Sequence, residues 1–299
     1  MARSLRLFVP QLDIFTAQAF VRDRYRRLLD RRGWSALRSE GEFLLNTAKT
    51  AGTVAVTRSS DQVVGTATAF DLSDIGRQFK GGVGSPIYTI QAVDIPSQTL
   101  TLDRVFGATT LATSTYRVFD AYRDAPPDFL KFIAITDPTM GYRLKWWVTQ
   151  EQLLRWDPQH NFTGTPYAVI DRRFSSTTGA PQFEIWPYCT TERNLPFFYI
   201  QRGADLINDA DIPIWPIRSD VIVAGAKADL CRWPGTKELP NLMFGKMDIY
   251  RSFEAEFEDM MVDLERQDEE IYTTWLKDSE WSDWPWAPLS ASWLQSHAV

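Results

Sequence analysis

Apolar residues along 16–32, TAQAFVRDRYRRLLDRR, fall three and four apart: Ala17, Val21, Tyr25 and Leu28, with Phe20 and Leu29 widening the stripe. The spacing predicts a helix that Thr16 caps and Gly33 stops. Its opposite face carries Arg22, Arg24, Arg26, Arg27, Arg31 and Arg32. From about residue 50 the period shortens to two. GTVAVTRSSDQVVGTATAF alternates and is rich in Thr and Val, as half-buried strands are. YTIQAVD, QTLTLDRV and TYRVFDAY are further strand runs, separated by DLSDIGRQFKGGVG, IPS and FGATTLAT. A second β-rich stretch follows in FLKFIAITDP, RLKWWVTQ, PYAVIDRRF, QFEIWPY and LPFFYIQRG, with a short helix in QEQLLRWDPQ and IPIWPIR at its end.

The helical period then returns. SDVIVAGAKADLCRW begins at a cap, Ser219 or Asp220. Residues 241–277 hold the longest periodic run, with Tyr250, Phe253, Phe257, Met260, Leu264, Ile271 and Trp275 in step. Glu254, Glu256, Glu258, Asp259, Asp263, Glu265, Asp268, Glu269 and Glu270 lie between them, which predicts an amphipathic helix with an acidic outer side. At ~1.5 Å per residue it reaches roughly 50 Å.

These runs predict an α+β chain: terminal helices forming a bundle, with a large inserted antiparallel β region, a small barrel or sandwich. The expected segments are an N-terminal helical part at 1–49, a β barrel or sandwich at 50–124, a second β-rich part at 125–215, C-terminal helices at 216–279 and a Trp-rich end at 280–299.

Composition narrows the function. The net charge of −6 disfavours tight grip on nucleic acid, which needs basic surface, but allows an acidic wall past which DNA slides. Cys189 and Cys231, far apart and alone, predict two reduced thiols, neither a disulfide framework nor a zinc site. The start, MARSLRLFVPQLDIF, meets charge at once and does not read as a secretion signal. No run approaches the ~18 apolar residues of a membrane span. The expected compartment is a cytoplasm.

A search for catalytic chemistry gives no constellation. His160 sits in the polar loop WDPQHNFTG and His297 at the very end. A surface loop histidine is the simpler reading of His160. GGVG at 81–84 leads into a strand, and GTKEL at 235–239 lacks the spacing of a phosphate loop. Trp146, Trp147, Trp156 and Trp186 read either as core of a β domain or as a sugar platform. The expectation is therefore no enzyme, no cofactor and no metal. The arginine face of 16–32 is open to two readings, a solvated surface or a docking face for an acidic neighbour.

The β stretch has an ordered set of pieces: Gly52–Thr57 (GTVAVT), Asp74–Arg77 (DIGR), Tyr88–Ile90 (YTI), Leu100–Asp103 (LTLD) with Gly107–Thr109, and Tyr122–Phe129 (YRDAPPDF). FEIWPY, PFFYIQRGADL and IPIWPIRSDVIVAGAKADL continue the likeness. In this order, over roughly residues 15–235, the chain resembles the head–tail adaptor proteins of tailed bacteriophages, of the kind called tail tubular protein A in short-tailed phages.

The resemblance implies a structural virion protein at the head–tail interface, assembled in the host cytoplasm. It implies a ring, usually of twelve copies, docked under the portal protein. Such a ring extends the DNA channel without specific DNA binding and offers a platform to the tail nozzle or tail tube protein. On this reading Arg22, Arg26, Arg27 and Arg31 meet a neighbouring copy, while Glu254, Glu258, Asp263, Glu265 and Glu269 line the channel or face that neighbour. Trp275, Trp281, Trp284, Trp286 and Trp293 anchor the chain to the portal, or else fold back on its own helices. The alternative function is a carbohydrate-binding or glycan-degrading tail component.

Overall fold

The computed structural model describes residues 1–278 apart from 11, 83, 176–177, 209–210, 214–217 and 236–239; the side chains of 147, 173 and 270–278 are not described. Two helices open the chain, α1 (Ala2–Phe8) and α2 (Ile14–Asp30). Strands β1 (Arg38–Leu45), β2 (Thr53–Val56), β3 (Gln62–Thr66), β4 (Gln78–Gly81), β5 (Tyr88–Asp94) and β6 (Thr99–Leu102) follow. Next come β7 (Leu111–Ser114), β8 (Tyr116–Phe119), β9 (Tyr122–Asp124), β10 (Phe129–Asp137), β11 (Tyr142–Arg143) and β12 (Lys145–Val148). Helix α3 (Gln150–Trp156) precedes β13 (Ala168–Phe174), β14 (Pro181–Trp186) and β15 (Arg193–Gln201). Helices α4 (Ser219–Cys231) and α5 (Met247–Asp278) complete the described chain.

The expected fold class is corrected by this order. Among the described residues the chain is mostly β, with three sheets and five α-helices, of which α5 is the longest; it is not a pair of terminal helices bracketing one inserted antiparallel region. Strand structure starts at Arg38 and not near 50, because β1 is a strand whose burial falls only on Phe43 and Leu45 and whose alternation is faint. β1 pairs with β15, so the first and last strands share the sheet β1-β15-β10-β11. The sheet β12-β13-β14-β9 contains a parallel pair, Lys145 opposite Ala168, so the β structure is not purely antiparallel. The third sheet, β7-β2-β3-β6-β5-β4-β8, curls as a half-barrel.

The chain divides into two compact units: residues 39–199, and residues 1–38 together with 200–299. In the first unit the half-barrel closes over Val54, Val63, Phe70, Phe79, Tyr88, Leu100 and Phe106. A second core gathers Phe43, Phe129, Phe132, Phe183, Phe197 and Tyr199, whose rings meet mostly edge-on or tilted, with Phe129 stacked on Tyr199. Gly41 leaves room for this cluster, since a Cβ there would lie 2.5 Å from the Phe197 ring.

The pieces that carry the family resemblance hold this unit together. Asp74 accepts from the Asp71 backbone N–H at 3.0 Å in a short 3-10 turn at Leu72–Asp74. Arg77 bridges Asp74 at 3.1 Å and Asp120 at 3.0 Å, and Lys49 bonds Asp74 at 2.8 Å. Arg123 closes the network on Asp120 at 2.6 Å. Asp74, Arg77 and Asp120 are all buried, so each charge is matched by an opposite one, as burial demands. Gly76 takes the left-handed φ of +83° that its turn needs. Gly107 does not; its N–H donates instead to the Tyr88 hydroxyl at 2.9 Å. Pro126 to Phe129 closes a turn, with the Phe129 N–H on the Pro126 carbonyl at 3.0 Å.

In the second unit, α2 begins two residues before Thr16. Asp13 is the cap, its carboxylate accepting from the N–H groups of Phe15 and Thr16. α1, α2, α4 and α5 pack on Leu5, Ala17, Val21, Tyr25, Leu28, Ile222, Phe257, Met261 and Leu264. Met261, not Met260, is the buried methionine of α5.

Candidate functional site

The arginines of α2 and the carboxylates of α5 meet inside one chain. Arg24, 7% exposed, lies 3.6 Å from Asp229 on α4 and 3.4 Å from Glu254 on α5, with its guanidinium 3.8 Å above the ring of Phe257. Gly225 makes the passage possible, because a Cβ at that position would stand 2.2 Å from the Arg24 Nε. Arg27 pairs with Asp229 at 3.2 Å. Arg31 reaches Glu258 at 2.9 Å and Glu265 at 3.0 Å. Arg32 reaches Glu269 at 3.3 Å and Asp268 at 3.7 Å. Asp268, itself buried, also accepts from the Ser35 N–H at 3.0 Å and so caps the 3-10 turn Ser35–Leu37 from a different helix.

This places the expected interface residues. Arg27 and Arg31 are engaged by carboxylates of their own chain, and Glu254, Glu258, Glu265 and Glu269 each pair with an arginine of α2 or of its C-terminal end, Glu258 and Glu269 keeping about half or more of their side chains in water. The physical reason is register: carboxylates at these steps fall on the same side of α5 as Phe257, Met261 and Leu264. Arg26 forms a two-pronged pair with Asp205, both contacts 2.6 Å, and this bond, with Arg22 nearby, holds the Asp205 carboxyl below the usual range. Asp263 stays on the exposed side and pairs with Arg266, 3.3 Å away on its own helix. Trp275 lies in α5, its side chain outside the described set, and Trp281, Trp284, Trp286 and Trp293 lie outside the described residues.

A second polar cluster, in the 39–199 unit, is larger than the sequence suggested. Glu184 on β14 is 1% exposed. It accepts from the Tyr188 hydroxyl at 2.6 Å and from Arg172 at 2.9 Å, and the His160 Nδ1 stands 3.2 Å away. Burial pushes the Glu184 carboxyl up, but bonds from His160 and Tyr188 and the charge of Arg172 outweigh it, and its pKa falls below the usual range. Burial and the Glu184 charge drive the Tyr188 phenol far up, so it remains a neutral donor. His160 is thus more than a loop histidine. Sequence spacing offers no warning of this, since 172 and 184 meet through the β13–β14 pairing and 160 and 188 through the bridge between Thr163 and Tyr188.

Of the four tryptophans considered for a platform, Trp146 packs against the phenylalanine core, and the Trp147 side chain is not described. Trp156 and Trp186 do come together, ring centres 5.4 Å apart and tilted by 32°. Phe162, not singled out by the sequence, joins Trp186 at 5.9 Å and 33°. Among the described residues no three His, Cys, Asp or Glu side chains are placed to hold a metal ion, and no helix is long and apolar enough to cross a membrane. Cys189 and Cys231 are buried and not joined in a disulfide. No protein-family model matches the chain, and comparison with curated proteins gives no match.

Proposed function

We propose that the chain is a structural head–tail adaptor of a tailed-phage virion. A ring of copies, twelve in the reading the resemblance suggests, docks under the portal protein, prolongs the DNA channel and carries the tail. The observation that supports this is the order of the pieces GTVAVT, DIGR, YTI, LTLD and YRDAPPDF. Asp74 and Arg77 of the second piece lie in the buried ion network, beside Asp120, and the others supply strands and turns of the same unit. Residues that build a rigid frame are what a scaffold requires.

The α2–α5 ion pairs are made within the chain, so contact between copies needs other surface. The helical unit exposes Leu7, Phe15, Leu242, Phe244 and Met247, apolar area suited to a neighbouring copy. A repeated head-to-tail contact of this kind closes into a ring when the rotation per copy divides the circle. The acidic net charge suits a wall past which phosphate moves without sticking. The Trp-rich end, residues 280–299, supplies the portal anchor in this proposal.

The test is electron microscopy of the purified protein alone and mixed with the portal protein encoded with it. Rings on the portal are expected with the full chain and not with a 280–299 deletion that keeps its helix and strand content. No association under any condition would overturn the proposal. Docking by the deletion variant would remove the tryptophan anchor while leaving the ring.

A further inference from the structure

The loop between α3 and β13 is held by more bonds than its length needs. Asp157, 5% exposed, accepts from the N–H groups of Asn161 at 2.8 Å and Phe162 at 2.7 Å and from the Trp186 indole at 3.3 Å. Lys80, reaching from β4 and 3% exposed, donates to the carbonyls of Gln159 and His160 and to Asn161 Oδ1 at 2.7 Å. His160 is kept at φ +52°, a conformation that costs a residue with a side chain and persists only where its surroundings impose it.

These bonds fix the imidazole. The Tyr188 hydroxyl spends its hydrogen on Glu184, so toward His160, 2.6 Å away, it accepts. Nδ1 therefore carries a proton, and in the neutral ring Nε2 is the nitrogen left to accept, its direction set by the Nδ1 bond. Trp156, the last residue of α3, and Phe162 in the loop both lie against Trp186, and are 49% and 61% exposed. Two aromatic surfaces in water beside a fixed acceptor, on a strained and over-determined loop, is the arrangement of a recognition element.

The chemistry selects the ligand. The cations nearby are turned to the protein itself: the Lys80 protons go to the loop, Arg172 pairs with Glu184, and Arg117 lies over the ring of Phe119. A metal ion finds one imidazole, and no three-ligand group exists among the described residues. A pyranose fits: its C–H faces are apolar and flat, and its rim carries hydroxyl donors. We propose that Trp156, Phe162 and His160 form a carbohydrate-binding site, with sugar rings stacked on the two aromatic side chains and a hydroxyl donating to His160 Nε2. The site lies in the 39–199 unit and does not depend on the adaptor reading.

The experiment presents the full-length protein to an array of bacterial polysaccharides and of chitin, cellulose and starch oligosaccharides. Chitohexaose, cellohexaose and maltohexaose are then titrated by tryptophan fluorescence. Binding is expected to at least one glycan, and Trp156→Ala and Phe162→Ala are each expected to weaken it by about tenfold. Both side chains are half in water, so both variants should keep the parent unfolding midpoint. His160→Ala should weaken binding as well; where that variant fails to fold, the two aromatic variants still decide. Absence of any bound glycan, or a bound glycan indifferent to the aromatic substitutions, would overturn the proposal.

Discussion

Removing the guanidinium of Arg24 leaves Asp229, Glu254 and the ring of Phe257 without their shared partner. Arg24→Ala is therefore expected to cost about 3–5 kcal/mol in urea unfolding, the range for breaking a buried ion pair from one side. Arg31 is 37% exposed at its side chain, and Arg31→Ala should cost under about 1 kcal/mol. Gly225→Ala probes the same site from the opposite helix. Its Cβ would collide with the Arg24 Nε, so a loss of about 1–3 kcal/mol is expected, and much less once Arg24 is already alanine. Equal losses for Gly225→Ala in both backgrounds would show that the glycine serves something other than the arginine. Glu184 sets a pH dependence. Its folded-state pKa is depressed, so its contribution is present above the ordinary carboxylate range and is lost as pH falls through the lowered value. Glu184→Gln is expected to lower stability at neutral pH and to flatten its decline in acid, read from denaturant midpoints across pH.

At the level of the element, the helices and most strands were legible because their burial has a period. α2 and α5 bury residues three or four apart, and β2, β6 and β15 alternate, whereas α4 is buried on nearly every side. What escaped follows from weak periods. β1 buries two side chains of eight, α1 is too short for two full turns of pattern, and β4 is buried on both faces and so shows no alternation. The start of α2 was misplaced because Thr16 and Asp13 both suit a cap, and only the fold reveals that Asp13 receives the N–H groups. The acidic face of α5 was legible as a face but not in its direction; carboxylates read as outward prove to be the partners of α2. A charge-reversal cycle tests this pairing. Arg31→Glu should destabilise the chain, and adding Glu258→Arg should recover part of the loss, with a coupling on the order of 1 kcal/mol. Both partners belong to one chain, so the coupling should not change with protein concentration. A concentration-dependent coupling would move the contact to between copies.

The molecule as a whole divides unevenly along the chain. One unit is a single stretch, 39–199, and the other is assembled from both ends. The single stretch holds all three sheets' central strands, the phenylalanine core, the half-barrel core and the buried network around Asp74, Arg77 and Asp120. Its ends are in touch, since β1 and β15 pair in one sheet. Everything needed to offset the entropy of ordering this stretch lies within it, and about 160 residues are enough for an independent core. The polypeptide 39–199 is therefore expected to fold alone, with cooperative unfolding and amide resonances that superimpose on those of the full chain. The other unit has no such autonomy. Tyr25, Leu28 and Arg24 come from the first 38 residues, while Ile222, Phe257 and Met261 come from beyond residue 200. Deleting residues 1–38 should thus strip α4 and α5 of their partner helices and abolish their protection from amide exchange, while resonances of 39–199 stay in place. Loss of both sets of signals together would mean that the two units fold as one, and the division would have no thermodynamic counterpart.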